Sequence, residues 1–366
     1  MNGCVLARPR ASYSEHMRLL IVTQAVDRTD LSLGFFHAWA AEFARHVERL
    51  EIICLKEGEH DLPHNVSVHS LGKEHTQGPM WYKRLRYGLR FLRLIVALRG
   101  KYDMVLVHMN EEYVLLGRLP WLLMRKRVGL WRNHVQGNWK AAIACRIVPA
   151  VFYTSPNTYA TRFKHAHRMP TGIEVGKFPP NRSHPRSVLS LGRIDPVKKV
   201  GELLAAFELL SNKKIQFHAD VYGTPTPGRE AYAEGLAALF ERLEKRGVLT
   251  RRPGVRHEEV PALFSAHRIF VNLTPPGSFD KTVFEAMAAG CLIVTTNPGV
   301  REVVGEDLFV TDLEPTSVAR ALEHALELPQ DKYEIRTRSL REYVKRKHSL
   351  DALVEGVLSH LELLTY

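Results

Sequence analysis

Short apolar runs recur along the chain and are separated by segments with helical spacing. The runs begin at residues 17, 50, 104, 128, 150, 186, 217, 268, 291 and 308, and they include MRLLIVTQ, MVLVHM and CLIVTT. Helical patterns lie between several of them, for example GFFHAWAAEFARHVERL from Gly34 to Leu50. Nearly continuous apolar strands that alternate with helices predict parallel sheets covered on both faces.

A polar, proline-containing stretch from Met169 to Pro185 interrupts this series near its middle. A single large sheet is possible, but two doubly wound α/β domains joined at the interruption are the simpler interpretation. We predict a loose tail at residues 1–16, a first domain at 17–175, a second domain at 176–345 and a C-terminal helix at 346–366.

In doubly wound sheets, ligands bind outside the carboxyl ends of the strands. Most residues that follow the predicted strands are polar, as expected for a binding site and also for an ordinary solvated loop. These residues are Gln24, Asp27, His108, Asn110, His134, Thr154, Ser155, Arg193, Gly223, Thr274, Pro275, Thr296 and Asn297. A loop explains any one of them, whereas the whole set indicates a binding edge on each sheet.

Composition and charge limit the kinds of molecule that the protein is expected to bind. The chain has 366 residues, 45% of them hydrophobic, and a formal net charge of +12. This charge favours an anionic partner, which could be nucleic acid, an anionic membrane surface or a phosphorylated small molecule. The apolar runs are all shorter than the roughly 18 residues of a membrane span. The run from Leu19 lacks the length and the cleavage site of a secretory signal.

The four cysteines are widely scattered and form no CxxC pair. They are Cys4, Cys54, Cys145 and Cys291. This spacing indicates neither a zinc site nor a disulfide framework, and a reducing cytoplasm fits it best.

The stretch SLGRIDPVKKVGELLAAFELL, residues 190–210, carries the clearest local chemistry. Gly192 allows a tight exit from a strand, and Asp195 followed by a proline predicts the N-cap and first turn of a helix. Arg193 and Lys198 then flank a helix N-terminus, where free N–H groups and the helix dipole favour an anion. A guanidinium and an ammonium together suit a diphosphate. The alternative is that both are solvated surface cations.

The segment FEAMAAG places Glu285 in an apolar helix that runs into an apolar strand. Because an unpaired buried carboxylate costs several kcal/mol, this charge must be solvated, paired or used. An i,i+4 pair with Lys281 is the structural alternative to a ligand-facing role.

Several sequence fingerprints are missing. There is no GxGxxG after the first strand and no GxxxxGK[ST], which argues against a dinucleotide oxidoreductase and a P-loop hydrolase. A metal-binding DxD is also absent, and His165 and His167 have no acidic neighbour to complete a metal site. We therefore predict no metal site.

The stretch SVLSLGRIDPVKKV, followed later by FEAMAAGCLIVTTNPGVREVV, resembles the donor domain of retaining glycosyltransferase family 4, the glycosyl transferases group 1. The segments LLIVTQAVDRTDLSLGFFHAW, MVLVHMNEEYVLLG, GLWRNH and TGIEVGKF are similar to members that build bacterial surface polysaccharides. The resemblance implies the GT-B fold, in which two Rossmann-like domains face each other. It further implies that the second domain holds a nucleotide sugar and that a C-terminal helix returns to the first domain.

By position, the resemblance implies that Arg193 and Lys198 hold the donor diphosphate and neutralise charge on the leaving group without a metal. It implies that Glu285 accepts the ribose hydroxyls. His134 resembles a histidine near the donor sugar, with His108 as a rival, and a core histidine satisfied by a backbone carbonyl is the alternative for either. Further donor-binding positions are Gly34, Gly192, Gly223, Ser278, Phe279, Asp280, Lys281 and Thr282.

The sequence departs from the family at one position. The family pattern has two glutamates separated by seven residues, and Gly277 stands where the first of them is expected. Asp280 or the backbone N–H groups of GSFDK could take its place. The alternative for Asp280 is an N-cap bonded to the Val283 N–H.

The implied function is a retaining, metal-independent glycosyltransferase without a cofactor. It would move a sugar from a nucleotide-sugar donor to a glycan or lipid-linked acceptor in polysaccharide or glycolipid biosynthesis. Alternatives are a nucleotide-sugar epimerase of GT-B-like fold and a non-enzymatic basic protein that binds nucleic acid. The RNP pattern and a helix–turn–helix signal are absent, so we expect no nucleic-acid partner.

The segment WYKRLRYGLRFLRLIVALRG, residues 81–100, predicts a basic amphipathic helix with an apolar stripe at Leu85, Leu89, Leu92 and Val96. Its cations are Lys83, Arg84, Arg86, Arg90, Arg93 and Arg99. Such a helix can lie on an anionic membrane, which predicts a cytoplasmic protein at the inner face of the cell membrane. The alternative is a domain helix whose stripe lies in the core.

Overall fold

The structure is a computed structural model, and it describes residues 17–30, 33–179, 184–275 and 280–364. The chain folds into two compact units. The first contains the described residues up to Tyr153, then Arg162–His167 and the residues from Val354 on. The second contains Thr154–Thr161 and Arg168–Leu353. The domain boundaries expected at residues 175/176 and 345/346 stay predictions.

The first unit is built on a seven-stranded sheet in the order β3-β2-β1-β4-β5-β6-β7. The strands are β1 (Arg18–Val26), β2 (Arg49–Glu57), β3 (Val66–Ser70), β4 (Met104–His108), β5 (Arg127–Trp131), β6 (Ala150–Tyr153) and β7 (Ala166–Arg168). The helices are α1 (Phe35–His46), α2 (Met80–Ala97), α3 (Glu111–Leu123) and α4 (Trp139–Ile147). The pairs from β3 through β6 are parallel. Central strands such as β1 are buried on both faces, as their continuous apolar runs predict.

The second unit has a five-stranded sheet in the order β10-β9-β8-β11-β12, with every pair parallel. Its strands are β8 (His184–Leu191), β9 (His218–Tyr222), β10 (Leu249–Arg252), β11 (His267–Asn272) and β12 (Leu292–Thr295). The helices are α5 (Val200–Asn212), α6 (Glu230–Gly235), α7 (Ala237–Lys245), α8 (Val260–Ala266), α9 (Lys281–Ala289), α10 (Arg301–Val304), α11 (Pro315–Glu327) and α12 (Gln330–Lys347). The last helix, α13 (Leu350–Glu362), begins in this unit and belongs to the first from Val354 on.

Each sheet has a point at which the strand order reverses. The second unit winds from β8 out to β10 and then returns to the other side of β8 with β11 and β12. The first unit reverses in the same way between β1 and β4. Loops leave in opposite directions at such a point, which creates a crevice at the carboxyl ends of the two strands. Ligand chemistry is therefore expected at the β8/β11 and β1/β4 crevices.

The predicted class of two parallel-sheet α/β domains is confirmed, but individual strands differ. The short strands β3, β7 and β10 were not predicted from the sequence, and β10 has the polar sequence LTRR. The strand predicted at LFVT from Leu308 is wrong, because only one bridge forms there, between Thr295 and Phe309. Thr295 is the last residue of β12, and the chain then turns at Pro298–Val300, so the run finds no further strand to pair with.

Helix α2 buries only a narrow side. Phe91 and Ile95 are its buried residues, whereas Leu85, Leu89 and Val96 are exposed. The interpretation that places this whole stripe in the core is therefore wrong. Within the described ranges, no helix is long and apolar enough to cross a membrane.

Candidate functional site

The chain leaves β8 through a tight turn and a short 3-10 helix before α5 begins. Asp195 caps this 3-10 helix, Pro196–Lys198, by accepting a hydrogen bond from the Val197 N–H at 3.0 Å. Lys199 follows in the left-handed conformation with φ of 56°, and α5 starts only at the next residue. The predicted cap is present, but it caps the 3-10 helix. The expectation that it opens α5 was wrong, because the left-handed residue interrupts the helical path.

Lys198 connects the two sides of the β8/β11 crevice. Its ammonium donates to the Thr274 hydroxyl at 3.2 Å and to the Asp280 carboxylate. Lys198 comes from the segment after β8, whereas both partners come from the segment after β11. The side chain is only 20% exposed, so its charge is held in a defined place at the crevice.

Asp280 is surrounded by donors. Besides Lys198, its carboxylate accepts from the Asn272 amide at 2.8 Å, the Thr274 hydroxyl at 3.3 Å and the Thr282 hydroxyl at 2.5 Å. Burial alone would raise the pKa of Asp280. The charge and hydrogen bond of Lys198, with the bonds from Thr282 and Asn272, outweigh burial and lower the pKa. The carboxylate therefore stays ionised and orients Lys198.

Asp280 also caps α9. It accepts from the Thr282 N–H at 3.2 Å, so the expected partner, the Val283 N–H, is corrected to the amide two residues on. An aspartate commonly bonds the amide two residues ahead, as here. With both oxygens engaged, the geometry favours the capping role over direct contact with a sugar.

Gly223 and Gly192 bring two strand ends close together. A β-carbon on Gly223 would lie 2.2 Å from the Gly192 carbonyl oxygen, which no real structure tolerates. The Gly192 N–H donates to the Tyr222 carbonyl at 3.0 Å, so the exits from β8 and β9 lie side by side. Only glycine fits at position 223 without moving the backbone.

Arg193 follows Gly192 and is exposed. Among the residues that the structure describes, none forms a hydrogen bond or ion pair with its guanidinium. Its charge reaches Asp195, whose pKa is lowered first by the Val197 N–H and further by Arg193. Arg193 thus supplies an accessible positive charge in the same β8–α5 segment that carries Lys198.

Glu285 lies on α9 with only 3% of its surface exposed. Its carboxylate is 3.6 Å from the Lys281 ammonium, so the i,i+4 pair exists. It is not a pair between two surface residues, because the Glu285 side chain is buried. No described residue donates a hydrogen bond to it, and its oxygens retain acceptor capacity. One neighbour, His257, was not predicted from the sequence. Desolvation lowers the pKa of His257, and the charge of Glu285 acts in the opposite direction.

A second feature missed from the sequence is a cavity of about 430 Å³ at the ends of β9 and β10. It could not be anticipated because β10 itself was not predicted. Its lining residues are Gly223, Thr224, Pro225, Glu244, Arg251, Arg252 and Pro253. The cavity opens at the same carboxyl edge as the β8/β11 crevice, beside Gly223.

In the first unit, the two candidate histidines have different surroundings. His108 is buried, bonded to the Thr23 hydroxyl at 3.1 Å and stacked on Phe36, and desolvation lowers its pKa to about 4. It is a neutral core histidine, satisfied by a hydroxyl rather than by the expected carbonyl. His134 is exposed on the loop after β5, where its carbonyl accepts a hydrogen bond from Arg132. Of the two, His134 is the accessible ring.

The remaining predicted positions lie away from the β8/β11 crevice or fall outside the described residues. A β-carbon on Gly34 would lie 2.7 Å from the Asp30 carbonyl oxygen, so this glycine lets the loop after β1 close against α1. Gly277, Ser278 and Phe279 are the positions that lie outside the described ranges. His165 bonds the Cys145 carbonyl at 2.7 Å, and the ring of His167 contacts His360 in the same unit.

Comparison with known proteins assigns the segment that carries the β8/β11 crevice. Residues 185–328 match the glycosyl transferases group 1 family. These residues form a glycosyl transferases group 1 domain. The resemblance to glycosyl transferases group 1 is thereby confirmed for this domain, which contains Arg193, Lys198, Asp280 and Glu285.

A curated relative matches over a similar length. The O-antigen chain mannosyltransferase B of Escherichia coli is 30% identical over 145 residues, which cover 39% of this chain and 36% of the relative. The chain therefore spans about a third of that relative's length, and the comparison concerns one domain.

Solved structures extend the comparison to nearly the whole chain. HepE of Anabaena, solved in complex with UDP and glucose, has a TM-score of 0.70 and 16% identity, covering 95% of this chain and 100% of HepE. Sucrose-phosphate synthase of Thermosynechococcus elongatus has a TM-score of 0.67 and 17% identity, covering 93% of this chain and 98% of the synthase. At these identities the likeness establishes the fold, and the predicted GT-B class is confirmed.

The buried carboxylate predicts a pH-dependent loss of stability. Asp280→Asn should lower the free energy of unfolding at pH 7 by about 1–3 kcal/mol, because Lys198 loses its charged partner. The folded-state pKa lies below the ordinary value of 3.8, so the wild-type advantage is complete above that value. It is lost as the pH falls through the lower folded-state pKa.

Urea denaturation between pH 7 and pH 3 measures this difference. Asp331→Asn is the matched control, because Asp331 is exposed on α12 and makes no ion pair with a described residue. A difference between wild type and Asp280→Asn that is zero, or that is constant across the pH range, would contradict the assignment.

Proposed function

We propose that the chain is a retaining glycosyltransferase that transfers a sugar from a nucleotide-sugar donor to a glycan or lipid-linked acceptor. The observation that carries the proposal is Lys198, held by Asp280 and Thr274 across the β8/β11 crevice of a glycosyl transferases group 1 domain. A fixed ammonium at a strand-order reversal is suited to an anionic ligand.

The donor diphosphate is the anion that fits this arrangement. An ammonium has three N–H donors, and the two bonds of Lys198 leave one for a phosphate oxygen. Arg193 adds a planar guanidinium whose donors are not taken by described residues. With the single negative charge of Asp280, the group carries a net charge of +1, which supports binding of a diphosphate.

The nucleoside has two candidate contacts in the same unit. Glu285 has a buried carboxylate with free acceptor capacity, and we assign it to the ribose hydroxyls. The cavity beside Gly223 lies at the neighbouring strand ends and has the volume to take a nucleobase. The structural neighbour HepE, with its bound UDP, supports a uridine nucleotide as the first donor to test.

The transfer step requires orientation and charge stabilisation more than a protein nucleophile. The bond between the sugar C1 and the phosphate oxygen breaks, and a bond from C1 to the acceptor oxygen forms on the same face. The acceptor proton passes to the departing phosphate oxygen. Arg193 and Lys198 stabilise the charge that develops on the diphosphate, which supports catalysis without a metal. We assign His134 to the sugar side because, of the two candidate histidines, His108 is buried and His134 is exposed.

Removal of one cation tests the electrostatic role. Arg193→Ala should lower turnover by about 10²- to 10³-fold, in the range measured for the loss of one donor that stabilises a developing anion. The variant should keep its melting temperature, because Arg193 is exposed. The readouts are nucleotide release in the presence of acceptor extracts and the thermal shift with UDP, GDP and their sugar conjugates.

Arg338→Ala is the control for this experiment, since Arg338 is exposed on α12 and distant in sequence from the crevice. It should behave like wild type in both assays. A nucleotide-dependent thermal shift that survives both Arg193→Ala and Lys198→Ala would show that the crevice does not bind the diphosphate.

A separate experiment tests whether turnover is independent of metal ions and whether the product retains the anomeric configuration of the donor. We expect turnover to persist in excess EDTA, because the two cations take the place of a divalent ion. We also expect proton NMR of the first product to show the anomeric configuration of the donor. Loss of turnover in EDTA with recovery on added Mg²⁺ or Mn²⁺ would reject the first expectation, and an inverted anomer would reject the second.

Peripheral contact with an anionic membrane is part of the proposal. Helix α2 carries exposed Leu85 and Leu89 beside exposed Arg84, Arg86 and Arg93, a combination typical of helices that bind at the surface of anionic bilayers. Such contact would bring the protein to lipid-linked acceptors at the inner face of the cell membrane.

Charge removal on α2 tests this contact. The triple variant Arg84→Gln, Arg86→Gln, Arg93→Gln should bind vesicles containing phosphatidylglycerol about 10-fold or more weakly, since each cation near such a surface contributes about 1 kcal/mol. Sedimentation with vesicles at low salt measures the change. Equal binding of the variant and wild type would remove α2 from the membrane-binding surface.

A further inference from the structure

The first unit contains a cavity that has no role in the proposed transfer reaction. It has a volume of about 340 Å³ and lies where α3 and α4 end. Its lining residues are Arg118, Leu122, Arg125, Lys126, Arg146, Ile147, Val148 and Pro149. Four of these eight residues are cations and none is acidic, so the cavity has a strongly positive wall.

The cavity lies at the opposite edge of the sheet from the β1/β4 crevice. Helix α3 runs from the carboxyl end of β4 to the start of β5, and α4 runs from the carboxyl end of β5 to the start of β6. Their C-terminal ends therefore mark the amino edge of the sheet. His134, which follows β5, belongs to the carboxyl edge. A ligand in this cavity would not occupy the position assigned to the sugar.

Three of the four cations are available to a ligand. Arg118, Arg125 and Arg146 make no side-chain hydrogen bond or ion pair with any residue in the described part of the chain. Lys126 is different, because its ammonium donates to the carbonyls of Arg99 and Tyr102 and lies 3.6 Å from the Asp103 carboxylate. The site therefore combines one anchored ammonium with three guanidinium groups that have free donors.

The dipoles of the two helices do not account for this set. A cation near each helix C-terminus is favourable, and Arg125 and Arg146 satisfy that preference. Arg118 lies more than one turn before the end of α3, beyond the reach of this effect, yet it lines the same cavity. Three guanidinium groups that line one cavity repel one another, and an anion bound between them would relieve this repulsion. Phosphate oxygens match the forked donors of arginine.

Exposed apolar side chains border the cavity on both helices. On α3, Leu122 lines the cavity and is 47% exposed, and its helix neighbours Leu119 and Leu123 are 64% and 76% exposed. On α4, Ile143 is 42% exposed and lies one turn before Arg146 on the same helix face. These side chains, Leu119, Leu122, Leu123 and Ile143, form an apolar border on the α3 and α4 side of the positive cavity.

We propose that the cavity formed by Arg118, Arg125 and Arg146 binds the phosphate headgroup of an anionic phospholipid. The exposed leucines Leu119, Leu122 and Leu123 of α3 would enter the acyl boundary of the same membrane. A soluble phosphate compound offers the same charge but has no use for an apolar border of this kind, which favours the lipid. This inference deepens the proposed membrane contact and adds a specific headgroup site to the general attraction of α2.

The experiment compares three variants of the full chain on vesicles. The first is Arg118→Gln, Arg125→Gln, Arg146→Gln. The matched control, Arg320→Gln, Arg338→Gln, Arg346→Gln, removes the same charge from exposed positions on α11 and α12. The third, Leu119→Gln with Leu123→Gln, alters the apolar border. Each is tested by sedimentation with phosphatidylglycerol vesicles and with phosphatidylcholine vesicles, and by calorimetric titration with inorganic phosphate.

We expect the cavity variant to bind phosphatidylglycerol vesicles at least 10-fold more weakly than wild type, while the control changes by less than about 2-fold. The border variant should lose vesicle binding and keep any heat of phosphate binding. The proposal is overturned if the cavity variant and the control bind vesicles equally. It is also overturned if the cavity variant loses only the phosphate titration, since the site would then take a free phosphate.

The same variants separate this inference from the transferase proposal. All three should keep the nucleotide-dependent thermal shift, because none touches the β8/β11 crevice. Absence of any nucleotide shift in wild type, with vesicle binding intact, would reject the transferase and leave the headgroup site standing.

Discussion

The ion pair between Lys198 and Asp280 is the interaction on which the candidate site depends. A buried carboxylate is costly unless its oxygens are satisfied, and here an ammonium, an amide, two hydroxyls and a backbone N–H satisfy it. The same carboxylate caps α9 and therefore sets where Glu285 lies on that helix. The Asp280 side chain thus holds Lys198, which comes from the segment after β8, and also fixes the start of α9. Preorganisation of this kind lowers the ordering cost of binding an anionic ligand.

The sequence predicted what depends on local pattern. Continuous apolar runs identified the buried strands, and Asp195 with Pro196 correctly marked a cap. The sequence could not show that Lys199 would adopt a left-handed conformation and separate this cap from α5, because a lysine has no intrinsic preference for that conformation. Strand β10 was missed for a related reason. It is a polar edge strand whose pairing with β9 comes from its neighbour and not from its own composition.

The sequence could predict only those site residues whose chemistry does not depend on their neighbours in the fold. Arg193, Lys198 and Glu285 could be selected as candidates from their charge alone, and the matching domain contains all three. The role of Asp280 depends on its surroundings, since a carboxylate that contacts a sugar and one that orients a lysine look identical in sequence. The same limit applies to His108, whose enclosure against Phe36 and Thr23 becomes visible only when the strands are assembled.

The left-handed residue Lys199 has a consequence for how this domain can change. Because the helical path is interrupted there, the rotation of α5 about its axis does not determine the direction of the Lys198 side chain. The helix buries Val200, Leu203 and Leu204 in the core. Substitutions that reshape this packing, and shift the helix slightly, are not transmitted rigidly to the cation. The joint therefore lets the packing of the hydrophobic core be changed by substitution while the charged group keeps its position in the crevice.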